Sequence, residues 1–239
     1  FDLLSKQLKY AGKVKAGRYQ VKNGTSLLSL LRMLRSGNQA PVNLVINKLR
    51  LKEDLAQKIA ANFECDSASV MDVLNDAETL KRFNVNNNTL MTIVVPNTYS
   101  MLWNASAEKI INKLYREKEK FWNTERVNKA KALNLTPEQV YTMASIVEEE
   151  TNKEPDKGLI ASVYMNRINT GIKLQADPTV KFAMKNFGLK RIKHVHLSYD
   201  SPFNTYQHAG LPPGPICTPS TKTIDAVLNA PQTNYIYFV

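Results

Sequence analysis

Cysteine, histidine and tryptophan are scarce in this chain, with two, three and two residues among 239. Cys65 and Cys217 stand too far apart to suggest a disulfide framework, and no cluster of further Cys or His ligands accompanies them. His194 and His196 alternate, as residues on one face of a strand do, but no third ligand is evident nearby, so no metal site is expected. No apolar run approaches the roughly 18 residues that span a bilayer; the longest, Leu90 to Pro96, has the length of a buried strand. Acidic residues are also in deficit, 21 against 32 Lys and Arg, for a formal net charge of +11. An excess of this size attracts anionic partners such as nucleic acid, lipid head groups or an acidic wall polymer. Zinc-ligand spacing and the aromatic-basic signature of an RNA-binding sheet are both missing, which argues against nucleic acid. The charge is uneven: Lys6, Lys9, Lys13, Lys15, Arg18, Lys22, Arg32 and Arg35 face only Asp2 in the first segment.

A hydrophobic share of 43% is that of an ordinary folded domain, and the length allows one large or two modest cores. The chain opens mid-pattern at Phe1-Asp2-Leu3-Leu4 without a leader-like segment, which says little about location. Three regions are expected. Residues 1–40 read as a short strand pair and a helix. Lys15-Ala16-Gly17-Arg18-Tyr19 turns into a strand, Asn23-Gly24 is a turn, and Thr25 caps a helix bearing Leu27, Leu28, Leu31 and Leu34 that ends at Ser36-Gly37. Residues 41–99 have a strand–helix–helix–strand rhythm. Val42, Leu44 and Ile46 alternate, Leu55, Ile59 and Phe63 share one helix, Val70, Val73 and Leu74 another, and residues 91–95 close as a strand. Residues 100–239 begin with one long basic amphipathic helix over about 105–132 and form the larger unit.

The most informative stretch starts at Thr136-Pro137-Glu138-Gln139, where a cap, a proline at the first helical position and a capping-box glutamine coincide. Val140, Met143, Ala144 and Val147 follow at helical spacing, and then come Glu148, Glu149 and Glu150. At about 100° per residue, Glu150 continues the apolar seam, Glu149 points almost opposite to it, and Glu148 lies to one side. Glu150 is thus carried towards the interior at a helix C-terminus, and both burial and the helix dipole raise the pKa of a carboxyl there. A carboxylic acid kept protonated near neutrality is what glycosidic cleavage requires, because the leaving oxygen must receive a proton. A second helix follows, opened by Pro155-Asp156, with Leu159, Ile160, Val163 and Tyr164 as its apolar face. Asn166 and Arg167 near its end read as surface residues when taken alone.

Three ordered strings closely resemble the YceG-like family of endolytic murein transglycosylases. They are Ala144-Ser145-Ile146-Val147-Glu148-Glu149-Glu150-Thr151, Val163-Tyr164-Met165-Asn166-Arg167 and Leu174-Gln175-Ala176-Asp177-Pro178-Thr179-Val180. Asn204-Thr205-Tyr206, Gly210-Leu211-Pro212-Pro213-Gly214-Pro215-Ile216 and Tyr235-Ile236-Tyr237-Phe238-Val239 continue the pattern. Lys15 to Tyr19 and Pro96-Asn97-Thr98-Tyr99 are similar to its upstream landmarks. The resemblance implies an α+β fold: a small lysin-motif-like module at residues 41–99 and a larger catalytic domain of helices packed on a short sheet at residues 100–239. It implies Glu150, directly before Thr151, as the single catalytic acid and base, with Glu148 in support. It also implies a single-pass inner-membrane protein facing the periplasm or cell wall, through an anchor outside this chain, and a further hairpin and helix beyond Val239. Peptidoglycan glycan strands are the implied substrate, wall-synthesis enzymes at the membrane the implied partners, and no cofactor is implied.

Among the other matched residues, Gln175 and Asn204 suit hydrogen bonds to acetamido and hydroxyl groups, although loop amides also serve their own backbone. Asp177 is either a turn residue or a second carboxylate, and Tyr206 and Tyr99 either stack on sugar rings or fill a core. The rigid segment 210–215 is expected to shape a groove wall. A hydrolase with two carboxylates, Glu150 and Asp177, is the competing enzymatic reading. A glycan-binding scaffold without catalysis is the non-enzymatic one.

Overall fold

Two hydrophobic cores organise the chain, and the candidate site forms at the end of a helix that lies between them. The computed structural model describes residues 1–7, 10 and 14–238; Lys9, Lys13 and Val239, singled out above, lie outside the described residues. The architecture is helical with one small antiparallel sheet, an α+β arrangement.

The first segment carries α1 (Asp2–Gln7) and α2 (Leu27–Ser36). The strand pair expected before α2 is not formed among the described residues. The cap is Ser26 rather than Thr25: its hydroxyl accepts the Ser29 N–H at 3.2 Å. Gly37, at φ 74°, ends the helix in the left-handed conformation that glycine adopts without penalty, as expected. Of the five leucines on α2, only Leu31 is fully buried, while Leu27 and Leu28 remain exposed.

The first core begins with β1 (Pro41–Val45), whose Val42 and Leu44 point inward while the alternate residues face out. There follow α3 (Lys52–Ala60), α4 (Ser67–Asn75) and α5 (Ala77–Arg82), the last not expected from the sequence. Leu55, Ile59, Phe63, Val70 and Leu74 are all buried, as their spacing requires. Residues 91–95 are not the closing strand. Leu90–Ile93 is a 3-10 turn with every residue buried, and the partner strand β2 (Thr98–Leu102) comes after Pro96. A short, continuous apolar run carries no periodicity that separates a buried turn from a buried strand. β2 pairs antiparallel with β1, Val42 opposite Met101 and Leu44 opposite Tyr99.

The helix expected over 105–132 is two helices, α6 (Ala107–Phe121) and α7 (Thr124–Ala132). Trp122 leaves helical geometry with ψ 61°, and Asn123 caps α7 by accepting the Arg126 N–H at 3.0 Å. The break serves packing. Ile110, Ile111 and Leu114 of α6 complete the first core, whereas Trp122 and Ala130 belong to the second. The first core therefore extends past the expected boundary at Tyr99, because β2 and α6 close it.

The second core is built by α7 with α8 (Pro137–Glu150), α9 (Glu154–Asn169), α10 (Asp177–Ala183) and α12 (Thr221–Leu228), while the short α11 (His194–Leu197) buries no residue. The sheet expected beneath these helices lies in the first core instead. Thr136 and Gln139 form the capping box, with Pro137 in the first turn of α8. Every residue from 140 to 147 is buried, so α8 has no solvent face there, and α7, α9, α10, α12 and the 3-10 turn all pack on it.

Short polar bonds lock the two cores together. The Thr218 N–H donates to the Leu49 carbonyl at 2.8 Å, and the Leu49 N–H donates to Thr218 Oγ1 at 2.9 Å. The Tyr141 hydroxyl on α8 donates to the Val94 carbonyl across the junction. Gly214 lies so close to Asn88 that a Cβ would sit 2.0 Å from the Asn88 carbonyl oxygen. The rigid loop needs glycine at this point for close approach to a neighbouring backbone.

Candidate active site

The last turn of α8 carries Glu148, Glu149 and Glu150, and helical rotation sends the three carboxylates to three different partners. Glu148 Oε2 accepts from Lys157 Nζ at 3.2 Å and from Ser220 Oγ at 3.3 Å, and it also accepts the Thr223 hydroxyl. Lys157 is itself almost fully buried and is held by Glu154 and Thr223 as well. Glu148, expected as a supporting site residue, therefore joins α8 to α9 and to the start of α12.

Glu149 points away from the apolar seam of α8, as helical rotation requires, yet it is not left to solvent. Its side chain is 15% exposed and meets Lys48 Nζ at 3.4 Å and Arg50 Nη2 at 2.9 Å. The periodicity of α8 places Glu149 opposite the seam, but the segment after β1 covers that side. A helix seam cannot reveal what other parts of the chain bring to its far face.

Glu150 completes the turn. Burial pushes its pKa up from 4.5 to about 7, and the Asp177 carboxylate adds to the rise. The Tyr164 hydroxyl and the Lys181 ammonium oppose it by favouring the charged form. Tyr164, on α9, is almost fully buried, and its hydroxyl lacks a hydrogen-bond partner of normal geometry while it faces Glu150. No feature of its helical spacing distinguished Tyr164 from an apolar core residue; the hydroxyl was the available signal. Lys181 was likewise not singled out.

Two interlaced loops bring the remaining candidates to this point. Gln175, at φ 51°, donates its N–H to the Thr205 carbonyl at 3.1 Å. The Ala176 N–H donates to Thr205 Oγ1 at 3.0 Å, and the Thr179 and Thr205 hydroxyls lie 2.8 Å apart. Asp177 opens α10 and accepts from the Tyr206 hydroxyl at 2.7 Å. Both Asp177 and Tyr206 act electrostatically on groups around Glu150. Burial, with the Asp177 carboxylate next, raises the Tyr206 phenol pKa further. The Gln175 side chain is exposed beside this group. Asn204 is fully buried, and its amide donates to the Leu197 and Tyr199 carbonyls while its oxygen accepts the Tyr206 N–H. Its amide is thus engaged within its own loop, which it holds in the shape that presents Tyr206. Tyr99 is buried in the first core, away from any sugar-stacking position.

Asn166 and Arg167 are not surface decoration. Asn166 Nδ2 donates to the Thr233 and Tyr235 carbonyls, at 2.7 and 2.9 Å. Arg167 is buried, and it donates to the Ile236 and Leu174 carbonyls, each at 2.7 Å. Together they bind the extended segment after α12 to α9, and this brings Phe238 edge-on to Tyr164, ring centroids 5.6 Å apart.

His194 and His196 lie on a short helix rather than a strand, and no group of three metal-ligating side chains is found among the described residues. Cys65 and Cys217 are both free thiols, and burial raises the pKa of each. No helix among the described residues is long and apolar enough to cross a membrane.

The arrangement provides one proton-exchanging carboxyl near neutrality, a second carboxylate beside it, and two tyrosine hydroxyls. A similar fold is found in the crystal structure of a YceG-like protein from Listeria monocytogenes. The two are 27% identical with a TM-score of 0.76, covering 100% of this chain and 84% of that one. Among curated proteins, the endolytic murein transglycosylase of Bacillus subtilis is 28% identical over 250 residues, 97% of this chain and 69% of that protein. The endolytic murein transglycosylase of Streptococcus pneumoniae strain D39 is 32% identical over 152 residues, 60% of this chain and 27% of that protein. The profile of the YceG-like family matches residues 1–239, and the chain belongs to that family.

Proposed function

We propose that this chain is the catalytic part of an endolytic peptidoglycan transglycosylase, with Glu150 acting first as acid and then as base. The observation that carries this reading is the half-buried Glu150 carboxyl at the end of α8, set among Tyr164 and Asp177, with its pKa raised by burial to about 7. Near neutrality such a group is present in both forms, so it can give a proton and then take one. Protonated Glu150 donates to the oxygen linking N-acetylmuramic acid to the next sugar. The resulting carboxylate takes the proton of the muramic C6 hydroxyl, whose oxygen closes on C1 as a 1,6-anhydro ring. The substrate supplies its own nucleophile, so no water is consumed and one acid/base residue is enough. The names of the similar proteins from B. subtilis and S. pneumoniae support the substrate class.

Asp177 beside Glu150 favours a second reading, hydrolysis by two carboxylates with water as nucleophile. The products separate the two, since an anhydro end weighs one water less than a hydrolytic reducing end. Digestion of purified sacculi by this chain, followed by mass spectrometry, should give 1,6-anhydromuramic ends from strand interiors, and Glu150→Gln should give none. Reducing ends alone would replace the transglycosylase reading with the hydrolytic one. Undiminished release by a folded Glu150→Gln protein would remove Glu150 from the mechanism.

The same reading gives the first core the role of a lysin-motif-like, sugar-gripping module. Support comes from its order of strand, helices and strand, β1–α3–α4–α5–β2. In the cell the enzyme acts at the wall-facing side of the inner membrane, held by an anchor outside this chain and working beside wall-synthesis enzymes. Gln175, Asp177 and Tyr206 contact the glycan, Asn204 holds the loop that presents Tyr206, and Glu148 fixes the end of α8 to α9 and α12.

A further inference from the structure

Asp177 and Tyr206 also line a recess of about 490 Å³ whose other walls come from the segment leading into α11, including Arg191, Lys193, His194 and Leu197. Arg191, Lys193 and His194 are exposed. Several other cations of this chain have acidic partners: Lys113 has Glu117, Arg126 has Asp225, Lys157 has Glu148 and Glu154. No ion pair joins the Arg191 guanidinium or the Lys193 ammonium to an acidic group among the described residues. The single acidic group on the recess wall, Asp177, is hydrogen-bonded to Tyr206. Unpaired positive charges on a concave wall focus a field that draws anions in, and a guanidinium offers a carboxylate two parallel hydrogen bonds.

We propose that this recess binds a carboxylate of the peptide stem carried by the muramic residue at the cleavage point. The proposal rests on the transglycosylase reading. Muramic acid bears its peptide on the lactyl group of the same sugar ring whose glycosidic bond faces Glu150. The stem must therefore leave the ring close to Asp177 and Tyr206, the two residues shared by the site and the recess. Peptide stems carry free carboxylates at their chain ends and on acidic side chains.

Binding and turnover test this separately. Calorimetry on the whole chain would use N-acetylmuramyl-L-alanyl-D-glutamic acid and its fully amidated counterpart as probes. The acid should bind, the amide should bind about tenfold more weakly, and Arg191→Ala with Lys193→Ala should erase that difference, the size expected for two exposed ion pairs lost together. The charge-reversed pair Arg191→Glu and Lys193→Glu should favour the amide. Equal affinity of the unmodified chain for both probes overturns the proposal, as does displacement by inorganic phosphate at concentrations where acetate has no effect. In turnover, the preference for peptide-bearing strands over strands stripped of peptide should fall about tenfold in the alanine pair. An unchanged preference with normal glycan release sinks the recess and leaves the Glu150 reading intact. Carboxylate binding without any glycan release supports the recess and removes the Glu150 reading.

Discussion

Replacing Glu150 by glutamine should stabilise the protein while abolishing its chemistry, and the size of the gain follows from the site. The ordinary value for this carboxyl is 4.5, and burial together with Asp177 lifts it to about 7 in the folded chain. That gap corresponds to about 3 kcal/mol of disfavoured ionisation. The folded state holds the proton more tightly than the unfolded chain does. The contribution of Glu150 to stability is therefore fully present below pH 4.5 and declines from 4.5 to 7. Above 7 it is lost, because a charged carboxylate is then buried. Glutamine has the same shape and does not ionise. Urea unfolding of both proteins at pH 4 and pH 8.5 isolates the effect, because any constant difference between the side chains cancels between the two conditions. Relative to the unmodified chain, Glu150→Gln should gain about 3 kcal/mol between pH 4 and pH 8.5, or about 6–12 °C in Tm for a chain of this length. A difference that stays constant within about 1 kcal/mol between the two conditions would refute the desolvated carboxyl and, with it, the acid/base role.

Tyr164→Phe removes a hydroxyl that favours the charged form of Glu150, so the Glu150 pKa should rise further. The alkaline limb of the pH profile of glycan release should move upward by on the order of half a unit; a limb that stays put or moves down contradicts the placement. Glu149→Gln should weaken the contact with Lys48 and Arg50 and lower stability by about 1–2 kcal/mol, with the anhydro product unchanged; an unaltered urea midpoint would show that the pairs with Lys48 and Arg50 hold nothing together.

Local rules settled the elements whose signals are short-ranged. The start of α8 needed only Thr136, Pro137 and Gln139, since a cap, a fixed φ and a reciprocal hydrogen bond act within one turn. Gly37 closed α2 for an equally local reason, a left-handed conformation that glycine adopts freely. The inward residues of β1, α3 and α4 followed from periodicity alone. The burial of residues 90–93 was also legible, but not their turn, because a run without alternation is silent about backbone shape. The division of α6 from α7 was hidden for a different reason. Both halves are amphipathic, and only the existence of two separate cores requires a break at Trp122 and Asn123.

The three glutamates mark the boundary between the two kinds of information. The sequence by itself put three carboxylates on the last turn of one capped helix and turned Glu148, Glu149 and Glu150 in different directions. It could not say what each would meet, since their partners lie up to 101 residues away in the chain. Tertiary structure gave Lys157 and Thr223 to Glu148, and Lys48 and Arg50 to Glu149, and so neutralised both. It gave Glu150 a half-buried setting with a phenol, a second carboxylate and an ammonium. The ionisation of a carboxyl depends on the charges and solvent around it, and those are fixed only when the loops of α10 and Tyr206, the body of α9 and the segment after β1 have all packed against α8.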